Sequence, residues 1–171
     1  MRQVLLAATF MTIACAGFGA EGQWAVPTAE VVFPDKTRVR VEVADTDQKR
    51  QRGLMFRKEL AANDGMIFVF DQAGYYPFWM QNCVISLDML WLDSAGRVVS
   101  IAESVPPCRL PGCPPPCPSY DCPNQPPDRG TEALFVVEVM SGFAKTHGVK
   151  VGDLLELKGI SGKTAARSRQ P

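Results

Sequence analysis

The sequence predicts an α+β domain dominated by β-strands, with a compact barrel-like sheet of about six or seven strands and two short helices. Three observations support this fold class. Apolar runs of strand length recur along the chain, one segment alternates strictly between valine and charged residues, and only two segments carry helix capping signals. The chain has 171 residues, of which 46% are hydrophobic and 21% charged, as expected for a single globular domain.

Residues 37–43 carry the clearest strand pattern. Their valines alternate with charged residues, which predicts one buried face and one solvated face. Continuous apolar runs of strand length follow at residues 65–70, 85–92, 134–140 and 154–157. Because a turn sequence ending in Gly96 separates two apolar runs, residues 85–102 are expected to form a hairpin.

Two short segments carry helix signals. Asp45 or Thr46 offers an N-cap for a polar helix that is expected to run to about Arg52, with Gly53 as its stop. A second helix is expected to be capped by Ser141 and to end at a glycine seven residues later. Neither helix is long enough to organise the core, so the sheet is expected to do so.

The chain divides into four parts by composition. These are a signal peptide at residues 1–20, a single domain at residues 30–158, a Cys/Pro-rich surface loop at residues 106–127 inside that domain, and a flexible tail at residues 159–171. The Cys/Pro-rich loop holds ten of the 14 prolines and four of the six cysteines. Proline lacks the N–H that a sheet ladder needs, so this segment is expected to leave the sheet between two strands.

The N-terminal segment predicts export to the periplasm or secretion. Arg2 precedes an apolar stretch that ends in small residues and is too short to span a bilayer as a helix. A signal peptide of this kind is removed, so no transmembrane segment is expected after processing. The alternative is a lipoprotein anchored through Cys15, although Thr12 stands where the bacterial lipobox prefers leucine.

Four loop cysteines follow a C-x4-C-x3-C-x4-C pattern. They are Cys108, Cys113, Cys117 and Cys122. In an exported protein they are expected to form two disulfides, with three pairings possible. A four-thiolate zinc site is the alternative, although zinc ribbons usually show closer cysteine pairs. Cys83 is interpreted as a small buried hydrophobic residue rather than a nucleophile.

The charge balance bears on possible partners. Formal net charge is +0, which gives no electrostatic reason to expect binding to nucleic acid or to an anionic membrane. We expect a monomer whose partner is a small molecule or a component of the cell envelope. The sequence indicates neither a cofactor nor a resident metal.

Polar residues interrupt segments that are otherwise apolar. Asp88 and Glu138 stand inside predicted buried strands, where a carboxylate must be paired or accept hydrogen bonds. Arg52 and Arg57 are the expected partners, since a guanidinium can hold a carboxylate with two hydrogen bonds. Asn82 ends a short segment that begins with an aromatic pair. The set is interpreted either as a structural network that fixes strand register or as part of a ligand site.

The ligand-site hypothesis places a small polar ligand, such as a carbohydrate, in an aromatic-lined cleft. Its candidate binding residues are Arg52, Trp79, Asn82, Asp88 and Glu138, with Trp91, Tyr75 and Tyr76 as further wall residues. The alternatives are a purely structural or interaction domain, and a hydrolase of cell-envelope carbohydrate that uses Asp88 and Glu138 as its acid and base. A copper-handling role for four of the methionines competes with simple core packing, which is favoured. No catalytic residue is assigned, and a non-enzymatic role is favoured.

Five motifs occur in order along the chain. They are Arg52-Gly53-Leu54-Met55-Phe56-Arg57, Asp64-Gly65-Met66-Ile67-Phe68-Val69-Phe70, Phe78-Trp79-Met80-Gln81-Asn82, Ile85-Ser86-Leu87-Asp88 and Val137-Glu138-Val139. In this order they resemble the domain of unknown function family 192, small and mostly exported proteins of bacteria and archaea. The resemblance covers about residues 30–158 and implies one compact α+β domain, with no established activity, cofactor or substrate. The Cys/Pro-rich loop is longer and richer in cysteine than the family pattern, and Cys83 stands where that pattern has a hydroxyl residue such as threonine.

Overall fold

The computed structural model describes residues 27–107, 119–120 and 132–160, with the backbone alone at residues 119–120. Nine strands and two helices are found there. They are β1 Thr28–Val32, β2 Arg38–Ala44, α1 Asp47–Arg52, β3 Asp64–Gly74, β4 Phe78–Trp79, β5 Leu87–Leu92, β6 Val98–Val105, β7 Ser119–Tyr120, β8 Ala133–Met140, α2 Phe143–Thr146 and β9 Glu156–Lys158. The signal peptide, the four loop cysteines and the tail beyond residue 160 lie outside the described residues, so those three predictions stay predictions.

Seven strands form one mixed sheet in the order β6-β5-β8-β3-β2-β1-β9, and β4 pairs with β7 in a small second sheet. All neighbours in the large sheet are antiparallel except β2 and β3, which are parallel and joined through α1. The sheet curls so that Arg97 bridges Leu154, close to both of its edges, but it is not closed into a barrel. The predicted β-dominant α+β class, with seven strands in the main sheet and two short helices, is confirmed.

Local sequence explains the first β-α unit. Val39, Val41 and Val43 of β2 are buried, whereas Arg38 and Arg40, which alternate with them, are exposed, as the pattern predicts. The side chain of Thr46 accepts a hydrogen bond from the backbone N–H of Lys49 and caps α1. The chain then turns at Gly53, whose φ of 47° favours a residue without a side chain.

The start of α2 differs from the prediction. Gly142, not Ser141, is its N-cap residue, and no side chain of its own segment caps it. The carboxylate of Asp88, on β5, does so instead. It accepts the N–H of Gly142 at 3.0 Å and the N–H of Ala144 at 2.8 Å. The cap is therefore a tertiary contact, which local sequence does not reveal.

Both faces of the large sheet are buried. On one face, the β2 valines pack with Ile67, Leu90 and residues of α2. On the other face, Met66, Phe68 and Trp91 pack with residues from the segments that follow α1 and β4. We call these the helix face and the pocket face, respectively. No helix in the described part of the chain is long and apolar enough to cross a membrane.

Candidate functional site

A cavity of about 220 Å³ lies on the pocket face. It is formed by the end of α1 and the turn after it, by β3 and β8 of the sheet, and by the segment around β4. Its wall residues are Arg50, Gln51, Arg52, Gly53, Leu54, Met55, Phe68, Phe70, Tyr76, Pro77, Phe78, Trp79, Gln81, Cys83 and Glu138. The wall is therefore apolar and aromatic with a few polar groups, which is the usual make-up of a small-molecule site.

The turn at Gly53 brings the end of α1 against the sheet. A Cβ atom added to Gly53 would lie 3.3 Å from a ring carbon of Phe68, so the backbone of this turn passes close to the aromatic wall. Leu54, the next residue, is buried in the pocket-face core. Arg52, the residue before the turn, is exposed, so it lines the cavity on its solvent side.

The aromatic wall is held in place by ring contacts and hydrogen bonds. The rings of Phe70 and Tyr76 stack at 3.5 Å between centroids, with an interplanar angle of 9°. Phe78 meets the ring of Phe68 edge to face at 4.8 Å and that of Trp91 at 5.8 Å. The indole N–H of Trp91 donates to the backbone carbonyl of Tyr76 at 3.0 Å. Such interlocked rings form a preorganised surface rather than a collapsible one.

β4 supplies the exposed part of the wall. Trp79 is 57% exposed although it lines the cavity. β4 pairs antiparallel with β7, with Phe78 opposite Tyr120 and Trp79 opposite Ser119. The Cys/Pro-rich loop thus returns to the cavity wall at residues 119–120. The rest of that loop from residue 108 onward lies outside the described residues.

Glu138 is the buried polar group of the cavity. It lies in β8 opposite Met66 of β3 and Met89 of β5, and only 3% of it is exposed. Its Oε2 atom has no hydrogen-bond partner. Burial raises the pKa of the carboxyl from 4.5 to about 8, so the group is protonated at neutral pH. A neutral buried acid can both donate and accept a hydrogen bond, and one of its two oxygens has no partner here.

Cys83 also lines the cavity. Burial, and to a smaller extent the charge of Glu138, raise the pKa of its thiol to about 12. The thiolate is the reactive form of cysteine, so a thiol with this pKa is a poor nucleophile at neutral pH. The interpretation of Cys83 as a small buried residue agrees with this environment.

Two arginines of α1 give the cavity a positive side. Arg50 is fixed, because its guanidinium donates to the carbonyl of Val69 and to Asp47, both at 2.6 Å, and lies 5.4 Å from the ring centre of Phe70. The guanidinium of Arg52 has no ion pair or hydrogen bond with another described residue. The guanidinium of Arg50 is thus fixed in place, whereas that of Arg52 is not engaged by any described residue.

Asp88 lies away from this cavity, on the helix face. In the register of β5 and β8, Asp88 is opposite Val139 and Met89 is opposite Glu138, so the two carboxylates point to opposite faces of the sheet. Besides its bonds to α2, Asp88 accepts the N–H of Ser104 at 2.8 Å. Asp88 therefore links β5 to β6 and α2, and it does not line the cavity with the other predicted contacts.

The other predicted residues fall into two groups. Arg52, Trp79 and Glu138 line the cavity together, as does Tyr76. Asn82 is not one of the wall residues. Its side-chain amide nitrogen is 3.7 Å from the sulfur of Met55, and its backbone carbonyl accepts the N–H of Phe56. Trp91 is fully buried behind the aromatic wall, and Tyr75 is 42% exposed outside it.

The arginine–carboxylate pairing predicted from sequence is not found. Arg57 forms an ion pair with Glu42 at 2.7 Å, and none of the arginines that the structure describes pairs with Asp88 or Glu138. The distance between opposite sheet faces also removes the geometric basis for a hydrolase that uses these two carboxylates together. The sequence did not point to Arg50, Phe70 or Phe78 as cavity residues, although Phe70 and Phe78 lie within two of the quoted motifs and Arg50 lies two residues before Arg52.

The four methionines considered for copper binding do not all share one environment, because three are core residues and Met55 lines the cavity. Met66, Met80 and Met89 are buried in the pocket-face core, as the core-packing interpretation predicts. Within residues 27–107 and 132–160, no group of three or more His, Cys, Asp or Glu side chains is placed to hold a metal ion.

Two further cavities, of about 310 and 210 Å³, contain polar groups that are already paired. Arg40 binds both carboxylate oxygens of Asp64 in the first. In the second, His147 lies 2.7 Å from Asp35.

A curled mixed sheet with two short helices and a small apolar cavity on one face defines a compact, β-dominant α+β domain. Comparison with known families then identifies the chain. The model of DUF192, described as "Uncharacterized ACR", matches residues 30–157, and the chain belongs to this family. Curated proteins provide no significant match.

Two crystal structures have similar folds. One is a protein from Sinorhizobium meliloti described as a "putative transcription regulator"; it is 29% identical, with a TM-score of 0.62, and the match covers 78% of this chain and 94% of that one. The other is a protein of unknown function from Novosphingobium aromaticivorans. It is 28% identical, with a TM-score of 0.61, and the match covers 87% of this chain and 99% of that one.

Proposed function

We propose that this protein binds a small molecule in the pocket-face cavity and does not transform it. The observation that carries the proposal is Glu138, a buried residue that lines the cavity and has one carboxyl oxygen without a hydrogen-bond partner. An unsatisfied buried polar atom costs about 1–3 kcal/mol, and a ligand that hydrogen-bonds to it recovers that cost. The absence of a nucleophile or a paired acid and base around the cavity argues against catalysis among the described residues.

The composition of the wall favours a mainly apolar ligand. Aromatic rings such as Trp79 and Tyr76 also stack on sugars, so a carbohydrate remains the competing ligand class. A sugar, however, presents several hydroxyl groups, and the side chains of the wall offer few polar groups to meet them. At about 220 Å³ the cavity is smaller than the roughly 300–1,000 Å³ of sites for drug-sized molecules, so the ligand is small.

Thermal melting of the mature protein against a library of small apolar, aromatic and sugar compounds tests the proposal. A binding compound should raise the melting temperature of the wild type, because it binds only the folded state. Glu138→Leu should lose that shift while remaining folded, and Glu42→Gln, which changes a carboxylate outside the cavity, should retain it. If no compound shifts the wild type, or if Glu138→Leu responds equally, the binding proposal fails.

We also propose that binding takes place outside the cytoplasm, after removal of the signal peptide at residues 1–20. The mass of the protein purified from a bacterial host tests this. Cleavage near residue 20 supports export, an acylated Cys15 supports a lipoprotein, and an intact leader contradicts both. A mass gain of four protons on reduction would support two disulfides among the loop cysteines, whereas retained zinc would contradict them.

A further inference from the structure

The ends of the pocket-face cavity differ in charge. The deep end holds Glu138, which is almost completely buried and lies against the buried thiol of Cys83. The exposed Arg52 lines the solvent side, and Arg50, whose side chain is only 16% exposed, adds a second positive charge from α1. Asp47 neutralises part of this charge through its pair with Arg50, which leaves the guanidinium of Arg52 without a partner among the described residues. The cavity is therefore polarised, with a positive outer side and an uncharged inner end.

The deep end selects against a charged group. Because burial keeps Glu138 protonated at neutral pH, its carboxyl offers a neutral donor and acceptor rather than a countercharge. An ammonium group would have to pass two guanidinium groups, lose its hydration shell and force Glu138 to ionise, and each step costs free energy. A neutral hydroxyl group forces no ionisation, loses less hydration than an ammonium group and can hydrogen-bond to the carboxyl of Glu138.

The outer side selects for an anion. A guanidinium binds a carboxylate with two parallel hydrogen bonds, and such charge-assisted bonds are about twice as strong as neutral ones. Arg50 already donates to Val69 and Asp47, so Arg52 is the guanidinium that is left to bind an incoming anion. The middle of the cavity presents flat rings, including Phe78 and Tyr76, on which one aromatic ring can pack.

We propose that the ligand is a small aromatic carboxylate whose ring carries a neutral hydroxyl group at the end opposite the carboxylate. The hydroxyl binds Glu138, the ring packs against the aromatic wall, and the carboxylate binds Arg52. This inference rests on the proposed binding function and narrows its ligand class.

Four compounds of nearly the same shape test the inference. They are 4-hydroxyphenylacetate, phenylacetate, tyrosol and tyramine. 4-Hydroxyphenylacetate carries a carboxylate and a ring hydroxyl, and phenylacetate carries the carboxylate alone. Tyrosol and tyramine keep the ring hydroxyl but replace the carboxylate with a neutral alcohol and with an ammonium group, respectively. Calorimetric titration of the mature protein at pH 7 should give the tightest binding for 4-hydroxyphenylacetate. Tyrosol and phenylacetate should each bind about tenfold more weakly, which corresponds to one lost hydrogen-bonding interaction of about 1.4 kcal/mol. Tyramine should bind most weakly.

Two variants test which side chain binds each end of the ligand. Arg52→Gln should remove the preference for 4-hydroxyphenylacetate over tyrosol while leaving tyrosol binding unchanged. Glu138→Leu should remove the preference for 4-hydroxyphenylacetate over phenylacetate. Arg38→Gln is the matched control, because it removes the same charge at a residue that pairs with Glu30 on β1, away from the cavity, and it should change neither preference.

The possible failures are distinguishable. Tightest binding of tyramine, equal binding of all four compounds, or no effect of Arg52→Gln would overturn the ligand class but leave binding itself intact. If none of the four binds while the wider library yields a compound sensitive to Glu138→Leu, the ligand class is again wrong and the binding function stands. If the wider library yields no binding compound, the ligand class and the binding function both fail.

Discussion

Two carboxylates interrupt neighbouring buried strands of one sheet, and their surroundings differ. Asp88, on the helix face, is fully buried and accepts three backbone N–H groups. Glu138, on the pocket face, is buried to nearly the same extent and has an oxygen with no partner. Burial alone therefore does not give a carboxylate its role. Where the fold supplies donors, the group is structural, and where it supplies an empty cavity, the group is available to a ligand.

The largest effect is expected on the helix face. Asp88→Ala leaves three backbone N–H groups without an acceptor, one of them buried and two part-buried. A buried unpaired group costs about 1–3 kcal/mol, so the free energy of unfolding should fall by about 3 kcal/mol in all. Urea unfolding measures this change. Asp93→Ala is a suitable control, because Asp93 accepts two backbone N–H groups in an exposed turn, where water replaces it. A loss below about 1 kcal/mol for Asp88→Ala would refute its structural role.

The next effect concerns the position of β8, which carries Glu138. A Cβ atom at Gly65 would lie 2.5 Å from the carbonyl oxygen of Glu138, so Gly65→Ala must push β3 and β8 apart. We expect a loss of about 2–3 kcal/mol in the free energy of unfolding, as for other overpacked cores. The control is Gly74→Ala, whose added Cβ would lie 3.4 Å from Tyr76, an ordinary contact. Equal losses in both variants would contradict a specific close approach at Gly65.

The pH dependence of stability tests the surroundings of Glu138. Its pKa is raised from 4.5 to about 8 in the folded protein, so between these values the folded state keeps a proton that the unfolded state releases. Glu138 therefore contributes stability that is fully present below pH 4.5 and is lost as the pH rises to about 8, with a slope of at most about 1.4 kcal/mol per pH unit.

Glu138→Gln removes this proton and should be more stable than the wild type at pH 8, with a flatter profile across the same window. Unfolding in urea at several pH values measures both proteins. A wild-type profile identical to that of Glu138→Gln would show that the carboxyl has a partner in the folded protein after all.

The smallest effect is expected at the cavity rim. Trp79 is 57% exposed, so Trp79→Ala should change the free energy of unfolding by no more than about 0.5 kcal/mol while weakening ligand binding. Trp91→Ala supplies the contrast within the same aromatic group, because Trp91 is fully buried and its removal should cost about 3–5 kcal/mol. Thermal and chemical unfolding, together with titration of a binding compound, separate the two roles. A large loss of stability for Trp79→Ala would make that residue structural.

Local patterns predicted the elements well. The alternating valines predicted β2, and Thr46 and Gly53 marked the ends of α1, because each signal acts within a few residues. The parallel pairing of β2 with β3 was not predicted, since it depends on how α1 returns the chain to the sheet. The cap of α2 was predicted wrongly for the same reason, because its donor groups bind a carboxylate 54 residues away in sequence.

The candidate site was predicted only in part. Sequence marked Asp88 and Glu138 alike, as polar interruptions of apolar strands, but the register of β5 and β8 assigns them to opposite faces. A register shift of one residue would have placed both carboxylates on the same face, and these two strands are buried on both faces, so they carry no polar alternation that fixes the register. The stacked pair of Phe70 and Tyr76 was equally invisible, because it forms only when the chain folds back after β3.

The pairing of β1 with β9 has a consequence for engineering. Glu30 lies opposite Lys158, so the first and last strands of the domain run side by side and its two ends emerge at one edge of the sheet. Ends this close can be joined by a short linker, and a circular permutant opened at the exposed turn of residues 94–95 should refold into the same sheet. The same geometry lets the whole domain be inserted into a surface loop of another protein with its sheet and its cavity intact.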